Sequence, residues 1–86
     1  MPGATRKTVD MAGGKLLGAS GDVFTNNQGQ VRVGDQVEGH GKSPHSSPVM
    51  AKGSSSVFVN GKAACRAGDK ATCDHPASGS SNVFIG

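Results

Sequence analysis

All three phenylalanines of the 86-residue chain follow a valine, as Val23-Phe24, Val57-Phe58 and Val83-Phe84. This recurrence limits the fold more narrowly than any other feature. The interval between the first two copies also carries Arg32 to Arg66, Gly34 to Gly68 and Asp35 to Asp69, so Arg-x-Gly-Asp travels with Val-Phe as one unit. A period of about 34 residues is that of a helical-hairpin repeat. Here 14 glycines and several serine runs leave no stretch long enough for such helices. What remains is a repeat of short β-hairpins.

The second copy places two β-type runs around Asn60-Gly61, a dipeptide that accepts the positive φ angles of a type I′ turn. Asn26-Asn27 holds the matching place in the first copy, and asparagine is the side chain that best tolerates a left-handed backbone. Hairpins are therefore expected near 22–33 and 56–67. The third Val-Phe is followed only by Ile85-Gly86, which leaves no room for a returning strand. Ala4-Thr5-Arg6 and then Val9-Asp10 resemble the second half of the unit. The expectation is three hairpin-and-loop units about a pseudo-threefold axis, with strand 83–85 closing the ring against residues around 3–7. The connecting loops, roughly 10–22, 35–53 and 69–80, consist mostly of turn-forming residues with few that could pack.

A chain of this size buries only roughly 60% of the surface its unfolded form exposes, and this one has no Trp or Tyr. So thin a core calls for a staple. A Cys65–Cys73 disulfide is one form it could take. The start of the chain has charge but no apolar run behind it, so no secretory signal is read there and a thiolate ligand is the preferred role. No stretch has the roughly 20 apolar residues of a membrane helix. The formal charge of +3 comes from scattered Lys and Arg, read as a solvated surface rather than a nucleic-acid footprint.

The staple itself is read in loops two and three. His40, His45, Cys73 and His75 use every histidine of the chain, in two short turns next to Pro44 and Pro76. Three imidazole nitrogens with a thiolate are donors that zinc takes, and four protein ligands complete a tetrahedral shell with no position for water. Such a site is structural, so no enzymatic activity is expected. Loop one offers Met11 in the corresponding place and contributes no ligand. Cys65 competes as a ligand, but beside Arg66 in an expected strand it reads better as a small buried apolar residue. Iron is the alternative metal. The Ser-rich segments Ser46-Ser47 and Ser54-Ser55-Ser56 have no base placed by any motif and read as turn and spacer.

The run Gly53-Ser54-Ser55-Ser56-Val57-Phe58-Val59-Asn60-Gly61-Lys62-Ala63-Ala64-Cys65-Arg66-Ala67-Gly68-Asp69, followed by Cys73-Asp74-His75, resembles the PAAR-repeat family. The resemblance covers essentially the whole chain. It departs in the name motif itself, where Ala63-Ala64-Cys65-Arg66 stands. The resemblance implies an all-β cone of short hairpins, with zinc near the vertex held by three histidines and a cysteine, here His40, His45, Cys73 and His75. It implies a tip that caps and sharpens a trimeric β-helical spike, of the valine-glycine-repeat type or a phage homologue, one tip per trimer. It further implies work in a type VI secretion system or related contractile machine, with membrane piercing, transient contact with a target membrane and a separate effector or adaptor as cargo. Synthesis in the cytoplasm and delivery with the spike would follow. The expectation is one PAAR-like domain over 1–86 without extension domains. The rivals are a free-standing zinc module that binds nucleic acid or a protein partner, and a metallo-hydrolase with an open coordination site.

Overall fold

The computed structural model describes residues 2–42 and 46–86. Among them, the only multi-residue strands form two antiparallel hairpins, β1 (Phe24–Thr25) with β2 (Gln28–Gly29) and β3 (Phe58–Val59) with β4 (Lys62–Ala63). Both lie inside the expected ranges and are shorter. Their turns are left-handed at both central residues, Asn26 and Asn27 at φ 50° and 67° and Asn60 and Gly61 at φ 54° and 78°. That is the type I′ geometry whose twist matches the flanking strands.

The third unit is split between the two ends of the chain. Phe84 bridges Gly3, the Ala4 N–H donates to the Val83 carbonyl at 2.8 Å, and the Ile85 N–H donates to Pro2 at 2.9 Å. The closure of 83–85 is thus observed, one residue nearer the start than the expected span of 3–7.

Inside the three units, single bridges join Ala4 to Arg66, Arg6 to Gln30 and Arg32 to Ala64. At their centre a cycle closes: the Thr5 N–H donates to Cys65 O at 3.1 Å, Cys65 N–H to Val31 O at 2.9 Å, and Val31 N–H to Thr5 O at 3.0 Å. All three side chains are fully buried. The pseudo-threefold expectation takes this concrete form, a triangle of strand segments with no free edge at its centre.

Each unit repeats two further devices. Ser20, Ser54 and Ser80 are buried, and each hydroxyl accepts the backbone N–H of the second and third residues that follow, the third being the Val of Val-Phe. One serine hydroxyl thereby satisfies two donors at the entry to every hairpin. Arg32 and Asp35, like Arg66 and Asp69, face each other across a turn closed by the Asp N–H on the Arg carbonyl, with Gly34 and Gly68 at φ 92° and 91°. The carboxylate takes the arginine's backbone N–H, Nε and Nη2. Arg6 and Asp10 do the same across one extra residue, with Thr8 left-handed at φ 60°. These three arginines correct the reading of the cations as a solvated surface: each is half-buried and held in two-pronged pairing with a buried aspartate.

The core also lies partly where it was not expected. Leu16, Val37, Met50 and Ala71 come from the loops and pack with Val31, Cys65, Cys73, Ala12 and Ala77. Bridge Leu16↔Val37 ties loop one to loop two and Met50↔Ala71 ties loop two to loop three, while Gln36↔Val49 closes loop two on itself. Loops short of apolar residues still pack because each contributes two or three to a shared centre. No buried side-chain nitrogen or oxygen among the described residues lacks a partner. Among them, no helix is long and apolar enough to cross a membrane.

Candidate metal centre

Loop three presents its pair through one left-handed residue. Asp74 stands at φ 70°, its N–H donates to Ala71 O at 2.9 Å, and the Ala71 N–H donates back to His75 O at 3.1 Å. Aspartate tolerates that conformation better than most side chains. The tight reversal brings Cys73 and His75 to one side, with the bridge Lys70↔Pro76 closing its base.

Loop two enters held at both edges, Val37 N–H on Pro48 O at 2.9 Å and Glu38 N–H on Lys15 O at 2.7 Å. His40 follows at once. Its Nδ1 lies 2.9 Å from the Glu38 carbonyl, which can only accept, so Nδ1 is the donor and Nε2 carries the lone pair. Orienting a ligand imidazole through its other nitrogen is how metal histidines are usually fixed.

His40, Cys73 and His75 meet, with one ligand atom from each lying within 4.8 Å of the others. The two imidazole rings stack at a centroid separation of 4.9 Å and an interplanar angle of 28°. Cys73 is buried and both histidines are half-buried. The edges of a zinc tetrahedron with nitrogen and sulfur ligands run about 3.3–3.8 Å, so small side-chain adjustments bring this set to coordination distance. Two imidazoles and a thiol fit zinc by their chemistry. The fourth expected ligand, His45, lies outside the described residues.

Cys65 is elsewhere. It is fully buried at the centre of the strand triangle, and both cysteines are free thiols. Burial pushes its thiol up to about 12, with the carboxylates of Asp69 and Asp35 adding to the shift. A thiol that resists ionisation is a poor metal ligand. It is a core residue, as expected.

The wall that loop one supplies was not foreseen. The Ala12 carbonyl is 3.9 Å from Cys73 Sγ, and Gly13 and Gly14 lie against the imidazoles of His40 and His75. The signal was present as an adjacent glycine pair opposite two ligand loops, but loop one has no donor side chain to draw attention to it.

Residues 8–76 and 39–86 match the family model described as the PAAR motif. The chain belongs to the PAAR motif family. This is the family of type VI secretion spike-tip components. Two relatives from Pseudomonas aeruginosa are each 36% identical over 81 residues, covering 85% of this chain. One is named NAD(P)(+) glycohydrolase toxin Tse6 and the other (p)ppApp synthetase toxin Tas1, and this PAAR chain spans only 19% and 18% of their respective lengths.

Proposed function

We propose that this PAAR chain is the tip of a contractile injection spike: a cone whose base is formed by the three Val-Phe pairs and whose vertex is held by a structural zinc. The observation that carries the reading is the exposure of the base residues. Phe24, Phe58 and Phe84 are 61%, 60% and 49% exposed, and Val23, Val57 and Val83 about equally so among themselves, at 38%, 37% and 37%. Of the nine large apolar side chains exposed among the described residues, six stand in these three equivalent places, the others being Val9, Met11 and Leu17. Apolar surface repeated with threefold regularity suits a threefold-symmetric platform. The molecule's extents of 32 × 23 × 23 Å, one long axis and two equal short ones, agree with a body that stands on such a platform.

In this reading His40, His45, Cys73 and His75 hold the zinc, which supplies a cross-link between loops two and three where side-chain packing is thin. The chain's part is mechanical, with no reaction of its own. The toxins it resembles carry a segment similar to it as a small fraction of their length, which supports a role as the piece that attaches cargo to a spike. That cargo, and delivery with the spike into a target cell, belong to the same proposal.

The test is a mixture of this chain with a trimeric spike protein, with stoichiometry read by light scattering or native mass spectrometry. One chain per spike trimer is expected, with binding lost in the Phe24→Ser, Phe58→Ser, Phe84→Ser triple variant while its melting temperature holds. Three chains per trimer, or unchanged binding by that variant, would refute the base assignment.

A further inference from the structure

The third loop of the centre has no ligand, yet its backbone reaches the ligand rings. Met11 and Lys15 bridge, the Ala12 N–H donates to Gly14 O at 3.0 Å, and Gly13 forms the tip at φ 85°. A Cβ at Gly13 would sit at bonding rather than van der Waals distance from His75 Nδ1 and 2.7 Å from His40 Nε2. One at Gly14 would meet the Glu38 carbonyl, and would lie 3.0 Å from His40 Nδ1. The glycine pair therefore touches both imidazoles and the carbonyl that sets the His40 tautomer. No side chain fits there without moving a ligand.

We infer that Gly13 and Gly14 are positioning residues of the metal centre: the tip of loop one is its third wall, and it holds the His40 and His75 rings in the stacked arrangement that presents their nitrogens to the ion. The inference rests on the metal reading of His40, Cys73 and His75. It adds that metal affinity is set partly by a loop that donates no ligand. Supporting groups of this kind typically govern metal affinity by 10–100-fold.

A backbone control is built into the fold. Gly34 stands at φ 92°, nearly the angle of Gly13, and a Cβ there meets nothing within 4 Å. Gly13→Ala and Gly34→Ala thus carry a similar left-handed penalty, and only the first pushes on the imidazoles.

The experiment measures zinc affinity of the wild type and both variants by competition with a chromophoric chelator, together with the absorption of the cobalt-substituted forms. Amide signals of Thr5, Val31 and Cys65 report on the strand triangle away from the centre. Gly13→Ala is expected to bind zinc roughly 10–100-fold more weakly, with a changed cobalt spectrum and the triangle intact, while Gly34→Ala stays within about threefold of wild type in affinity. If Gly13→Ala does not fold at low zinc, folding is followed as zinc is raised. A midpoint shifted by that same factor supports the inference, and failure at every concentration while Gly34→Ala folds overturns it. Equal affinity losses in both variants, or none in Gly13→Ala, also overturn it. Wild-type chain that binds no zinc would instead remove the metal reading itself.

Discussion

Asp10 is the residue whose neutralisation should cost the fold most for the smallest change in shape. Its Oδ2 accepts the Arg6 backbone N–H and Nε, both at 2.8 Å, and its Oδ1 accepts Arg6 Nη2 at 3.1 Å and the Ser78 hydroxyl at 2.9 Å. Side-chain exposure is 4% for Asp10 and 19% for Arg6. Asp10→Asn keeps the volume but turns one oxygen into an NH2 group, which faces donors with a donor. At least two of the four bonds are lost, each charge-assisted and worth about 1.5–3 kcal/mol. Discounting for the partly solvated arginine, the loss is about 3 kcal/mol, within the range for breaking a buried pair from one side. For a domain this small that corresponds to a fall in melting temperature of roughly 12–24 °C.

The same substitution tests the electrostatics. Burial by itself would raise the Asp10 pKa, but the Arg6 side-chain and backbone donors and the Ser78 hydroxyl outweigh it and hold the carboxyl below its ordinary 3.8. A depressed folded-state value contributes stability that is present above the unfolded value and is lost as pH falls through the folded one. The gap between wild type and Asp10→Asn should therefore be full at pH 7 and close below about pH 3.8. The assay is denaturant unfolding of both chains at one fixed free-zinc concentration, since bound metal shifts apparent stability. The exposed pair of Lys70 and Asp74, 50% and 83% exposed at 3.4 Å, serves as reference. Lys70→Gln should change stability by less than about 0.5 kcal/mol. An Asp10→Asn chain as stable as Lys70→Gln would refute the reasoning.

Three further outcomes are expected. Cys65 resists ionisation up to about 12 in the fold against an ordinary 9, so the unfolded chain ionises first and stability declines as pH rises from about 9 towards 12. The loss is about 1.4 kcal/mol at pH 10, read as a denaturant midpoint that falls between pH 8 and pH 10 in wild type and falls less in Cys65→Ala. Thr8, a β-branched residue at φ 60°, is strained, and Thr8→Asn should stabilise the chain by about 0.5–1 kcal/mol by thermal melt. Ser54→Ala leaves the N–H groups of Ser56 and Val57 and the carbonyl of Gly86 without their shared partner, and should lower stability by about 1–3 kcal/mol in the same melt.

The hairpins and the ring closure were legible because their signals are local. Asn60-Gly61 and Asn26-Asn27 declare left-handed turns, and residues 4–6 resemble the half of the repeat unit that Val83-Phe84 lacks. The Arg–Asp pairs were half legible. Arg-x-Gly-Asp could be seen twice and read as a turn, but Arg6 and Asp10 are one residue further apart and have threonine where the others have glycine, so the third copy escapes a search at fixed spacing. Ser54 looked like spacer, and Ser20 and Ser80 drew no reading of their own, because a hydroxyl that caps two backbone donors leaves no apolar pattern. At the candidate metal centre the donor types and the two loops that bring them together were readable from His40 and Cys73-Asp74-His75. The contact of Gly13 with two imidazoles was not, since a glycine's position in space leaves no chemical mark in the sequence.

The cycle of hydrogen bonds through Thr5, Val31 and Cys65 has a bearing on time as well as shape. None of its three members is near another in sequence, and Ala4 meets Val83 only after the nearly 80 residues between them have been made. A nascent PAAR chain can form its first hairpin early, yet the triangle stays open until Cys65 arrives, and the split third unit until Val83 does. Contacts of such long range are slow to form. During synthesis the first two units wait with unpaired edges, and the arrival of residues 83–85 closes the ring of three units in one step.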